Sequence, residues 1–267
     1  MNSIVAQHLA AHCGPQDYAY VLLDPTAQRA TCPDHLVETL QGALGEDALT
    51  RVQRPDLSYA QDRCPVLVCL AEPGEVPCPT ILQLLEDPFA ADASWRKRTV
   101  CGWLISAQPA DVIAEHLLSL CMLPTAQGDP RFYPIFEPVR LALFWTAFPN
   151  APQGPWWPIK HWLIDTHQGE PRFLAGTPQN AISTPSTASA IQADAPLVLS
   201  LLAAWNRLLA TTRHSRAPGE GNAPPPPNPT PRQVHAHIVK ARALGATQPA
   251  DLSDAVLRRL MPQEQAS

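Results

Sequence analysis

The chain has 267 residues, 45% hydrophobic and 16% charged, enough apolar material for a sizeable core and too little charge for a disordered chain. Its net charge of −5 is uneven: residues 1–212 carry 12 Lys/Arg against 20 Asp/Glu, and residues 213–267 carry 7 against 4. An acidic body with a mildly basic tail argues against a general nucleic-acid binder.

Proline is abundant, 31 against 12 Gly, and so much of it keeps helices short and connections stiff. The N-terminus lacks the basic start and continuous apolar stretch of a signal peptide. No segment approaches the ~20 apolar residues of a membrane span. The seven cysteines (Cys13, Cys32, Cys64, Cys69, Cys78, Cys101 and Cys121) are odd in number, form no CxxC and sit largely in apolar runs. That pattern fits reduced, buried thiols in a cytoplasmic protein.

Residues 3–12 read as a short helix ended by Gly14-Pro15, and Tyr18 to Leu23 as a strand closed by Asp24-Pro25. A helix over 34–43, a buried strand from Pro65 to Leu70 and a helix over 79–86 follow. Thr99 to Ser106 is a core strand. Pro109 opens a helix through Leu123 with Val112, Ile113, His116, Leu117 and Leu120 on one face. Arg131 to Phe136 reads as a strand, and Pro138 starts a helix burying Leu141, Phe144, Trp145 and Phe148. Ile159 to Asp165 is a strand that Pro171 to Leu174 could join through a Gln168-Gly169 turn.

Alternating strands and helices predict an α/β fold, with mixed α+β as the alternative, over residues 1–175. A loop at 176–195 and an amphipathic helix at 196–213 follow. A Pro-rich linker at 214–231, extended at Pro224 to Pro227, then leads to a small helical lobe at 232–262 with Gly245 capping its first helix.

The motifs of common active sites are absent: no GxSxG, P-loop, GxGxxG, HExxH or zinc-spaced Cys/His set. His235 and His237, two apart on a helix, point away from each other and read as solvated. His161 and His167 near Asp165 could be drawn into a thiol site with any cysteine, but nothing local supports one. The last two helices outline a helix-turn-helix in which Arg258 and Arg259 could touch phosphate. Asp251 and Asp254 at the start of the second helix would repel DNA. No catalytic residue, metal or cofactor is therefore expected. A Cys/His enzyme and a DNA-binding regulator stand as alternatives to a protein-binding role.

A series of short motifs resembles one family. The strand Tyr20-Val21-Leu22-Leu23-Asp24 ends in leucine-aspartate. Pro65-Val66-Leu67-Val68-Cys69-Leu70 matches a "P-x-L-v-x-L" strand, and Gly102-Trp103-Leu104-Ile105-Ser106 matches "G-W-L-x-S". Val112 to Leu118 loosely matches a helix with "L-x-x-H-L". Arg131 to Leu141 resembles an arginine and aromatics leading into "F-x-D-P-R-V-L", with Glu137 in place of Asp and Arg140 exchanged with Val139. Gly154 to Trp162 resembles a rearranged "F-F-G-P-I…W".

In this order the motifs, over about residues 18–165, resemble the effector adaptor (chaperone) family of bacterial type VI secretion. The resemblance implies a non-enzymatic cytoplasmic protein with a variable C-terminal lobe. Such a protein would bind a toxic effector and help load it onto the VgrG spike.

For that role, Trp156 and Trp157 are candidate partner anchors, since Trp is enriched in interface hot spots. Neighbours on a strand face opposite ways, so one of the two is expected inside. Glu137 and Arg140, three apart at a helix start, can pair, with Glu137 also a candidate cap. Arg131 could bridge to Glu137. In the C-terminal lobe, expected to contribute to cargo choice, Leu252, Val256 and Leu257 are candidate docking residues.

Overall fold

The computed structural model describes residues 3–27, 36–91, 98–148, 154–165, 171–178, 184–215 and 228–261. The Gln168-Gly169 turn, His167, Cys32 and the Pro224–Pro227 run lie outside them. The chain forms two compact units, Met1–Ala190 and Ile191–Ser267.

In the first unit, helix α1 (Ile4–His12) is capped by the Ser3 hydroxyl, which accepts from Ala6 N at 3.0 Å. Strand β1 (Tyr18–Leu23), helix α2 (Leu36–Leu44), strands β2 (Leu49–Arg51) and β3 (Val66–Ala71) and helix α3 (Pro79–Ala91) follow. Next come β4 (Val100–Ser106), α4 (Ala110–Cys121), β5 (Met122–Pro124), β6 (Pro130–Phe132), α5 (Pro138–Thr146), β7 (His161–Asp165) and β8 (Pro171–Ala175).

Six strands form one sheet in the order β2-β3-β1-β4-β7-β8, and every pairing in it is antiparallel. The fold is therefore mixed α+β. Strand–helix alternation does not distinguish this from a parallel sheet, because pairing direction is set by long-range contacts. The strand expected over Arg131 to Phe136 shrinks to β6, which pairs with β5 in a separate two-stranded ribbon. The helix from Ala110 stops at Cys121, two residues before the predicted end, because the chain turns into β5.

Alternation along the strands builds two apolar faces. Val21, Val68, Trp103 and Leu163 lie in register on one. They pack with Val5 and Leu9 of α1, Leu36 and Leu40 of α2, and Leu82 and Leu85 of α3. Tyr20, Leu104, Trp162 and Leu174 line the other, each buried. Each such side chain, once buried, contributes on the order of 1.5–3 kcal/mol. Helix α4 packs against β2 and β3 through a face that includes Ile113, Leu117 and Leu120. Val112, expected on that face, stays partly exposed, and Trp145 of α5 is only half-buried.

Helix α6 (Thr187–Ala193) occupies the end of the segment expected to be loop. In the second unit, α7 (Ala195–Ser215), α8 (Pro231–Ala243) and α9 (Pro249–Leu260) share a core. It consists of Val198, Leu201, Leu202 and Trp205 of α7, Val234, Ile238 and Ala241 of α8, and Leu252 and Val256 of α9.

Helix α8 opens with a capping box between Thr230 and Gln233 and with Pro231 in its first turn. It ends at Gly245, whose φ of +94° lets Ala246 N reach Ala241 O and Gly245 N reach Arg242 O. Among the described residues no single helix is long and apolar enough to cross a membrane. Helices α6 and α7 reach that length only jointly, across a 41° bend, and the apolar stripe of α7 is spent on the core.

Candidate functional site

The sheet's two ends carry most of the polar chemistry of the first unit. At one end, β1 begins and β4 finishes beside the loop at 154–159. Trp156 is 1% exposed and Trp157 is 40% exposed, so of the adjacent pair one is core and the other faces solvent. Trp156 meets Trp162, Phe144 and Trp145 edge-on, with ring centroids 5.9–6.3 Å apart.

Close approaches fix the loop. A Cβ at Gly154 would stand 2.4 Å from the Trp156 ring, and one at Gly176 would stand 2.1 Å from Ile159 O. Gly102 makes room for the other indole, since a Cβ there would meet Trp162 Nε1 at 2.3 Å.

Two polar side chains grip the same loop. The Ser106 hydroxyl donates to Pro158 O at 2.7 Å and accepts from Gln108 N at 3.0 Å. The His116 ring lies against the backbone of Trp156 and Pro155, which favours its protonated form. Burial outweighs that support and pulls its pKa down to about 4. Beside the loop, Lys160 Nζ binds the buried Asp17 carboxylate at 2.6 Å. The Tyr20 hydroxyl donates to Gln108 O at 2.8 Å and is held well above its usual pKa by burial. The serine of the "G-W-L-x-S" strand thus holds the loop that presents Trp157, while the glycine of that strand admits the Trp162 indole.

At the other end, where β1 finishes and β4 begins, charge is buried. Asp24 is fully buried, and its Oδ1 accepts from Thr26 N at 2.9 Å and Thr26 Oγ1 at 2.6 Å. Arg54, 8% exposed, donates to both carboxylate oxygens of Asp56 at 3.1 and 2.8 Å and lies 4.7 Å from the Phe132 ring centroid. Burial disfavours its charge. The hydrogen bonds to Asp56 and the negative charges of Asp56, Asp24 and Glu137 overcome that penalty and hold its pKa above the ordinary value.

Glu137 pairs with Arg140 at 3.1 Å, as the i,i+3 spacing predicts. It occupies the N-cap position of α5 without a side-chain capping bond, because its carboxylate turns to Arg140. Arg131 is exposed, with its guanidinium 5.8 Å from the Tyr133 ring centroid rather than on Glu137. The bridge expected of Arg131 does not form. The cation bonded to Glu137 is Arg140, and the buried charge of Arg54 lies near enough to interact with it.

The thiols divide by environment. Burial raises the pKa of Cys13, raises that of Cys69 to about 11 and raises that of Cys121 to about 12. Exposed Cys78 is shifted down by hydrogen bonds from the backbone of Ile81 and Thr80 at the start of α3. His161 stacks on His12 with ring centroids 4.4 Å apart. Among the described residues no group of three or more His, Cys, Asp and Glu side chains is placed to hold a metal ion.

In the helical unit, Leu252 and Val256 are 3% and 0% exposed. The docking role expected of them is displaced by a core role, because both face α7 and α8; Leu257 is half-buried. His235 is not solvated as expected, since Asp194 holds it at 3.3 Å and also holds Arg242 through two bonds of 2.6 and 2.7 Å. Burial alone would raise the Asp194 pKa, but these partners bring it down to about 2.

Sequence reasoning missed Arg54. Arg54-Pro55-Asp56 reads as an ordinary polar turn, and the only hint was that two acidic motif positions, Asp24 and Glu137, would need a cation if both were buried. Comparison of the chain with protein-family models, curated proteins and solved structures finds no match.

Proposed function

We propose that this chain is a cytoplasmic adaptor that binds a toxic effector and assists its loading onto the VgrG spike of a type VI secretion system. Several motifs that resemble the adaptor family lie far apart in sequence yet serve one structural purpose each. Ser106 and the close approaches at Gly154 and Gly176 hold the loop that carries Trp157, with His116 against its backbone, and Asp24 and Glu137 lie near Arg54.

The observation that carries the reading is Trp157. It is a large aromatic side chain, 40% exposed on a loop locked by glycine contacts and two side-chain grips. A fold does not need an indole in that position, whereas an interface gains from a rigid aromatic anchor that costs little entropy to order. A loading factor must also release its cargo, which favours such a surface over a deep cleft. The test is affinity purification of the tagged full-length chain from cells expressing the secretion system, with mass spectrometry of what is retained. Recovery of a large toxin or a VgrG protein supports the adaptor reading. A well-folded chain that retains neither overturns it.

A further inference from the structure

Helix α1 is fastened to the sheet by Val5 and Leu9 and by a side chain ill suited to an apolar seat, His8. The His8 ring is 3% exposed, and neither ring nitrogen has a hydrogen-bond partner in the protein. One turn on, His12 lies 4.9 Å away between ring centroids. His161 of β7 lies at 6.2 Å and Phe173 of β8 at 5.1 Å. His12 and His161 stack at 4.4 Å. A leucine would fill the position of His8 without the cost of two orphaned nitrogens.

The charged and titratable neighbours come from each element against which α1 packs. The helix itself contributes His12, and β7 contributes His161 with Lys160 beside it in sequence. The turn before β1 contributes Cys13 and Asp17, and the Asp17 carboxylate is already engaged by Lys160. From β4 come the uncharged Trp103 and Ile105. From α3 comes Glu86, which accepts from the Ser3 hydroxyl at the far end of α1. A proton on His8 would therefore sit in an apolar seat beside two further imidazoles, with one nearby carboxylate that is itself already paired.

We propose that His8, seated against His12 and His161, forms an acid-operated latch, which holds α1 on the sheet while the His8 ring is neutral and releases it when that ring takes up a proton. Burial first, then the charges of His12 and His161, depress the His8 pKa from 6.5 to about 4. Burial, then His12, lowers that of His161. A detached helix would bind these protons more readily than a docked one. The latch is thus fully engaged above the ordinary histidine value of 6.5 and weakens as the pH falls from there towards 4.

Hydrogen exchange on the full-length chain from pH 7.5 to 4.5 tests this, with β4 amides as the reference for α1 amides in the same sample. In the natural chain, α1 protection relative to β4 should fall about tenfold by pH 5, and in His8→Phe or His8→Leu by less than about twofold. An equal fall in the variants, or simultaneous loss of protection in α1 and β4, overturns the latch. Should neither variant fold, imidazole resonances of the natural chain decide. Titration of the His8 ring in step with shifts of the α1 amides supports the latch, and titration of the ring without them overturns it.

Discussion

At one end of the six-stranded sheet the chain buries a cluster of charges, and at the other it buries one carboxylate, Asp17, against Lys160 and leaves an indole partly in water. Asp24 and Glu137 are shut away with Arg54 where β1 finishes, while Trp157 stands 40% exposed where β1 begins. Buried ions are tolerable only in mutual company, so each member of the first cluster depends on the others. Trp157 is under no such constraint, since its neighbour Trp156 fills the core and the loop is fixed by glycines and by Ser106 and His116. The two ends should therefore respond oppositely to mutation: damage to the charged end should unfold the protein, whereas damage to the aromatic end should change what it binds.

The largest effect is expected at Arg54. Arg54→Met removes the buried guanidinium bonded to Asp56, whose charge offsets those of the buried Asp24 and Glu137, and should cost about 3–5 kcal/mol even though Glu137 keeps Arg140, read as a fall in the urea midpoint. Gly102→Ala should follow at about 1–3 kcal/mol, because its Cβ would meet both the Trp162 ring and Leu163 O, and one of them must move.

Acid should act next, through His116. Its folded pKa of about 4 lies below the ordinary 6.5, so its contribution is complete above pH 6.5 and fades as the pH falls towards 4. A His116→Gln variant should show a flatter dependence of stability on pH over that window, measured by urea unfolding. Trp157→Ala should be the mildest, within about 1 kcal/mol of the natural chain in thermal unfolding, since a surface side chain away from caps and networks contributes little to folding. A large loss of stability in this variant would place Trp157 in the core account and break the contrast between the ends.

Local signals made much of this legible. The helix of α4, the strand from Val100 to Ser106 and the Gly245 cap follow from periodicity and from Gly and Pro punctuation. One of Trp156 and Trp157 is inside as expected, but they lie in a turn, so strand alternation is not the cause; the Glu137–Arg140 pair follows from helix spacing. Strand direction was not legible, because it is set by contacts between segments tens of residues apart. The burial of Arg54 escaped notice for the same reason: beyond its bonded neighbour Asp56, the charges near it, Asp24 and Glu137, lie 30 and 83 positions away in sequence. Leu252 and Val256 misled because an apolar stripe on a short helix looks the same whether it meets a partner or its own bundle.

The most direct test of the contrast is the affinity of purified Trp157→Ala for whichever protein the natural chain retains in the affinity purification proposed above, measured beside its melting temperature. An anchor residue predicts about 30-fold weaker binding, equivalent to about 2 kcal/mol, with the melting temperature shifted by no more than about 2–4 °C. Unchanged affinity in a folded variant would contradict the assignment of this sheet end as the partner-binding surface.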